Sequence, residues 1–165
     1  MKLNIVMVEP EIPQNTGNIA RTCAAIGAKL HLVYPLGFNI SEKQVKRAGL
    51  DYWNKLEIEE HTNFKEFLNK YKPEENNMFF VTTKGKHVYS DVDYSEMEDV
   101  YILFGKETKG LPEDLLQKYM NKDIRIPMRE TLRSLNLSNS VAIIVYEILR
   151  QVNFDGLQEI SQYFD

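Results

Sequence analysis

A chain of 165 residues, 43% hydrophobic and 27% charged, has the length and composition of one globular domain with its own core. A net charge of −4 argues against a general affinity for nucleic acid, and the single cysteine, Cys23, excludes an internal disulfide framework and suits a reducing cytosol. No apolar run approaches the roughly 20 residues that span a bilayer, which leaves no expectation of a membrane partner. The charge is uneven. The stretch from Asn153 to Asp165 carries Asp155, Glu159 and Asp165 and no cation, leaving 20 basic against 21 acidic residues elsewhere. A local basic patch is compatible with that balance; a positive field over the whole protein is not.

The N-terminus, "MKLNIVMVEP", is too short and too early broken for a signal peptide, and Leu3–Val8 reads as a buried strand. "NTGNIARTCAAIGA" follows as a helix with Ile19, Cys23 and Ile26 on one face, Asn15 or Thr16 as its cap and Gly27 as its stop. Lys29–Tyr34 alternates like a second strand. "SEKQVKRAG" sets Ser41 three residues ahead of Gln44, a capping-box spacing ended by Gly49, and Asn63 stands in the same relation to Glu66. Met78–Thr83 and Val100–Gly105 are continuous apolar runs, so buried strands. Pro112 opens a helix in the first turn, Asp123–Pro127 is a short strand, and "NSVAIIVYEILRQV" is the last long helix, capped by Ser138 or Asn139. Strands and helices in alternation predict an α/β fold with a parallel sheet covered on both faces, and ligands in such sheets sit beyond the carboxyl ends of the strands.

The segments after those strands hold the candidate chemistry. "FGKETKGLP" spaces Gly105 and Gly110 like a phosphate loop, but Leu111-Pro112 stands where Lys-Ser/Thr is required, which excludes a P-loop; a plain strand-to-helix turn with glycines at positive φ accounts for the spacing. "NTGN" offers only Gly17, not the three glycines of a dinucleotide site, which counts against a nicotinamide-dependent reductase. His31, His61 and His87 lack metal-ligand spacing, and no Gly-x-Ser-x-Gly elbow is present. "KQVKRAGLDYWNKL" mixes Lys43, Lys46, Arg47 and Lys55 with Tyr52 and Trp53: a solvated helix face with a packed aromatic, or a grip on RNA backbone with a stacked base. In "RSLNLSNSVAIIVYE", a helix cap leaves Ser134 and Asn136 without an assigned task ahead of a buried apolar run, and polar groups there need partners.

"EPEIPQNTGNIARTCAAIG" (Glu9–Gly27), "FGKETKGLP" and "IPMRETLRSLNLSNSVAIIVYE" (Ile126–Glu147), in this order, resemble the motifs of the SPOUT class of RNA methyltransferases. "RAGLDYW" and "TTKG" (Thr82–Gly85) are similar to its small single-domain members, the ribose 2′-O-methyltransferases of the tRNA wobble nucleotide. The resemblance implies one methyltransferase domain over residues 1–153, with 154–165 as an acidic tail. Its expected fold is a mostly parallel sheet with helices on both faces and a C-terminal trefoil knot. It implies S-adenosylmethionine as methyl donor and no metal. The cofactor is expected against Val81, Thr82, Gly105, Ile126, Met128, Ser134, Leu135 and Asn136, with Gly105 admitting it close to the backbone. Arg21, Asn15 and Glu107 are the implied catalytic residues. The implied substrate is a wobble cytidine or carboxymethylaminomethyl-uridine in tRNA, leucine tRNAs foremost, bound by the anticodon arm on a cytoplasmic homodimer. Competing readings are a 2′-O-methyltransferase of another RNA, such as rRNA, and a non-catalytic RNA-binding protein that keeps the pocket.

Overall fold

The computed structural model describes residues 1–40 and 53–163. The helix expected from Ser41 to Gly49 and most of the basic, aromatic stretch from Lys43 lie outside the described residues. The elements are β1 (Lys2–Val8), α1 (Pro13–Ile26), β2 (Lys29–Val33), β3 (Ile58–His61), α2 (Phe64–Tyr71), β4 (Asn77–Val81), β5 (His87–Val88), β6 (Asp99–Phe104), α3 (Glu113–Lys118), β7 (Asp123–Arg125) and α4 (Leu137–Gln151). The strands form one sheet in the order β3-β2-β1-β6-β4-β7-β5, and every pairing is parallel.

Side chains alternate across a strand, so β1 feeds two cores. Ile5 and Met7 pack with Ile19, Ala20 and Cys23 of α1 and with Val141, Ile144, Val145 and Ile148 of α4. Val6 and Val8 pack with Phe67 of α2 and Leu115 and Leu116 of α3 on the other face. Burial on both faces explains the unbroken apolar reading of β1 and β6. No helix among the described residues is long and apolar enough to cross a membrane.

Two features of the topology position the site. β1 and β6 are adjacent, but the chain leaves β1 toward β2 and leaves β6 toward β7, on opposite sides. Their carboxyl ends therefore form a switch point, where the loops diverge and open a crevice. In addition, β7 lies between β4 and β5, which are joined only by residues 82–86. The late strand thus passes between the arms of an earlier connection, the threading expected of the knotted C-terminal segment. The fit is close: the Thr82 N–H donates to the Ile124 carbonyl at 3.0 Å, and a Cβ on Gly85 would stand 3.2 Å from the Ile124 carbonyl carbon.

Several local expectations change. α1 begins at Pro13, so Asn15 and Thr16 lie inside it; Ile12 is the N-cap residue and offers no side-chain bond. α4 is capped by Asn136, not Ser138 or Asn139, whose N–H groups donate to the Asn136 side chain. Pro112 precedes α3 as its N-cap. Asn63 caps α2 as expected, but Glu66 reaches back to the Thr62 N–H at 2.8 Å, one residue earlier than a capping box. Gly27 ends α1 at φ 72°, as the sequence suggested. The strands β3 and β5 were not anticipated: β3 carries Glu59 and Glu60 in four residues, and β5 has only two.

Candidate active site at the strand ends

A cavity of about 560 Å³ opens at the carboxyl ends of β4, β6 and β7. Its volume lies within the range of small-molecule sites. Val81 and Thr82 end β4, Gly105 follows β6, and Ile126 and Met128 follow β7; Ser134, Leu135 and Asn136 lead into α4, and all eight line the cavity. Asn15 and Glu107 line it as well. Apolar walls from Phe104, Leu111 and Leu116 stand beside the polar groups of Thr82, Ser134 and Asn136. Such a mixture fits a folded nucleoside, with one apolar face for a base and hydrogen-bonding groups for its edge and sugar.

The first turn of a helix leaves unpaired N–H groups and a partial positive charge. At α1 the Glu107 carboxylate, some 95 residues away, faces that end and accepts from the N–H of the N-cap Ile12 at 3.1 Å, from Glu11 N just ahead of it at 2.8 Å and from the Asn15 side chain, Nδ2, at 3.1 Å. Asn15 Oδ1 in turn accepts from Asn136 Nδ2 at 3.0 Å. Asn136 Oδ1 accepts from Ser138 N at 3.0 Å, Asn139 N at 3.3 Å and Ser138 Oγ at 2.7 Å. One chain of bonds therefore joins the 105–111 loop, α1 and the start of α4. Asn136, left without a task by sequence alone, is the hinge of that chain. Ser134 lines the cavity and is exposed toward it.

A second tie closes the same edge. Thr108 donates to Glu11 through its N–H at 3.0 Å and its hydroxyl at 2.8 Å, and Lys106 pairs with Glu9. The Thr108 bonds, more than the nearby lysines, hold the Glu11 carboxyl below its usual range. Glu9 has φ 50°, a left-handed conformation costly for a non-glycine residue. It turns the chain out of β1 and into this contact. Sequence reasoning missed this clasp; its trace was acid at 9 and 11 facing lysine and threonine at 106 and 108.

Gly105 and Gly110 play different parts in the loop. The φ of Gly105 is not positive; Gly110 supplies the turn at φ 69°. A Cβ on Gly105 would meet the Gly110 carbonyl carbon at 2.0 Å and Leu111 N at 2.2 Å. The glycine therefore lets the loop fold onto itself, and the folded loop then forms the cavity wall.

Arg21 is not brought into the cavity. It lies on α1 six residues past Asn15, about 9 Å along the axis, and does not line the cavity. Together with Gln14, Asn18 and Ala25 it forms the exposed stripe of that helix. Trp53 packs partly buried against the core, and Lys55 is exposed.

Elsewhere the structure joins residues whose spacing suggested nothing. His31 and Glu59 are opposite one another in β2 and β3, with His61 two residues on. His31 Nδ1 and His61 Nε2 share a hydrogen bond at 3.0 Å, while Glu59 is engaged by Lys29 at 2.7 Å, Lys70 at 2.6 Å and Tyr71 at 2.8 Å. The carboxylate is already neutralised by ammonium groups and the ring nitrogens face each other, so the cluster is a self-satisfied hydrogen-bond network.

Comparison with known proteins agrees with this geometry. The model of the SpoU rRNA Methylase family matches residues 2–146. A Listeria monocytogenes protein, 49% identical over 164 residues covering 99% of this chain and 96% of its own, carries in provisional form the name tRNA (cytidine(34)-2′-O)-methyltransferase. A solved structure described as giving insight into 2-OH methylation of C/U34 on tRNA is 41% identical, with TM-score 0.85, covering 93% of this chain and 97% of its own. An AdoMet-bound rRNA methyltransferase from Sinorhizobium meliloti is 25% identical with TM-score 0.81, covering 92% of this chain and 57% of its own. With the parallel sheet, the threaded late strand and the cavity at the switch point, these matches establish that the chain belongs to the SpoU rRNA Methylase family of methyltransferases.

Proposed function

We propose that this protein transfers a methyl group from S-adenosylmethionine to the ribose 2′-hydroxyl of the wobble nucleotide of tRNA. The observation that carries the reading is the convergence of Thr82, Gly105, Ser134 and Asn136 on one nucleoside-sized cavity, in a chain 41–49% identical to proteins described by that reaction. The methyl donor supplies an electrophilic carbon already activated by its sulfonium. What remains for the protein is to hold two partners in line and to manage the hydroxyl proton.

The residues divide that work. The backbone of the 105–111 loop and of the segment from Ile126 to Leu137 holds the cofactor. Asn15, fixed at both ends of its amide by Glu107 and Asn136, stands at the cavity edge in one orientation and positions the ribose. Glu107 sets that orientation and stabilises the start of α1. Arg21 orients an RNA phosphate and stabilises developing alkoxide charge. A guanidinium has a pKa above about 12 and acts as a donor, so the proton passes to phosphate or water.

The working unit we infer is a homodimer. Ile143 and Tyr146 are 37% and 48% exposed on α4, which packs beside α1 and its exposed Arg21 stripe. Closing two copies over these faces buries the apolar pair and brings two sets of RNA-gripping residues to one anticodon arm, in the cytoplasm where tRNA is matured. Among tRNAs, leucine acceptors with a wobble cytidine or carboxymethylaminomethyl-uridine are the first substrates to try.

The decisive assay is incubation with labelled S-adenosylmethionine and total RNA, both tRNA and rRNA, from cells lacking the enzyme, followed by nucleoside mapping. Label at the wobble ribose is the expected result. Label only in rRNA would move the protein to the other substrate class, and binding without transfer would make it a non-catalytic relative.

A further inference from the structure

Among the described residues four cationic side chains line the cavity, and they fall into two pairs. Lys84 is held by Glu113, and Lys106 by Glu9. Lys109 and Arg133 are exposed and form no hydrogen bond or ion pair among the described residues. Lys109 acts only through its field on Glu11, whose oxygens are already occupied by Thr108. Neither side chain packs into the core. They come from different segments, the loop after β6 and the segment before α4, yet border one cavity.

We infer that Lys109 and Arg133 grip the RNA backbone phosphates on either side of the target ribose. This rests on the methyl-transfer reading and adds how the substrate is held. Any ribose whose 2′-oxygen reaches the cavity brings a phosphodiester on its 5′ side and another on its 3′ side to the rim. A protein of net charge −4 repels a polyanion overall, so it needs uncommitted cations where those phosphates arrive. The two ion-paired lysines do not serve, because each is already neutralised. A cofactor carboxylate is the rival ligand, but it brings its own ammonium, so the amino-acid end of the cofactor carries no net charge to draw two cations. Contacts of this kind set position and register without reading the base.

The test uses Lys109→Gln, Arg133→Gln and the double variant of the full chain. Binding of a synthetic anticodon stem–loop is measured across a salt series, and binding of S-adenosylhomocysteine by calorimetry. Each single variant should weaken RNA binding about fivefold at 0.1 M salt and lower the slope of log affinity against log salt by about 0.7, and the double variant should lower it by about 1.4. S-adenosylhomocysteine affinity should stay within about twofold, the KM for RNA should rise more than kcat falls, and Lys109→Arg and Arg133→Lys should restore the slope. Loss of S-adenosylhomocysteine affinity, alone or together with RNA affinity, overturns the assignment, as does an unchanged salt slope. Wild-type protein that binds the stem–loop but methylates no RNA would defeat the functional reading and leave this one standing, so the two failures are separable.

Discussion

Replacing Gly105 by alanine probes the cavity wall with one methyl group. The new Cβ would lie 2.0 Å from the Gly110 carbonyl carbon, 2.2 Å from Leu111 N and 2.4 Å from the Gly110 oxygen. Ordinary contact begins at 3.4 Å, so the 105–111 loop must open by roughly 1 Å or more. All three clashing atoms are backbone, and Leu111, at 3% exposure, anchors the loop in the second core. Overpacking of this kind costs about 1–3 kcal/mol. For a chain of this size that lowers Tm by about 2–12 °C. If the same distortion must be reversed when cofactor binds, affinity falls about 5- to 150-fold. Gly110→Ala is the matched control: nothing lies within 4 Å of its Cβ, and the position is strained only by φ +69°. It should cost about 1 kcal/mol. Thermal unfolding and calorimetry with S-adenosylhomocysteine read both numbers. A Gly105→Ala protein that binds as tightly as wild type would refute the idea that this loop must stay closed to form the site.

Arg21→Ala should leave S-adenosylhomocysteine affinity intact and abolish methyl transfer; equal loss of both would contradict its role toward RNA. Asn136→Ala removes the α4 cap and the bond to Asn15, so it should destabilise by about 1–2 kcal/mol in urea titration and lower kcat, whereas Ser138→Ala should do neither to the same degree. Glu107→Gln keeps the shape but removes the charge at the start of α1; about 0.3–1 kcal/mol of stability and most of the turnover should go, and full activity would refute the positioning role. Burial, opposed mainly by nearby Glu59, holds His31 down at about 3 and also lowers His61. Above about pH 6.5 neither the folded nor the unfolded imidazoles are charged, so these groups leave stability flat. As pH falls below that, the unfolded chain takes up protons that the folded one refuses, and stability drops by up to about 1.4 kcal/mol per unit per histidine, continuing toward pH 3 for His31. Urea midpoints equal at pH 7.5 and 5.0 would show that the pair is not held neutral.

Much of this architecture was legible because burial leaves an unambiguous trace. β1, β6 and α1 announce themselves through apolar runs, a 3.6-residue period and the Gly27 stop. β3 and β5 escaped notice because one is polar and the other is two residues long, and both form only by pairing with strands distant in sequence. The cap of α4 was misplaced for a related reason. Asn136, Ser138 and Asn139 are all good caps, and what selects Asn136 is its bond to Asn15, 121 residues away. The Glu107 cap of α1 and the Glu11–Thr108 tie are equally non-local. The parts of the site were readable one by one, through motifs that carry a family resemblance. Their mutual hydrogen bonds were not, because no local pattern encodes a contact made only after the chain has threaded.

The most direct test of the account is a crystal structure with S-adenosylhomocysteine bound. The nucleoside should lie folded in the cavity, against the 105–111 loop and the segment from Ile126 to Leu137, with its sulfur facing the side of Asn15. A molecule bound outside that cavity, or one extended away from Gly105 and Ser134, would contradict it.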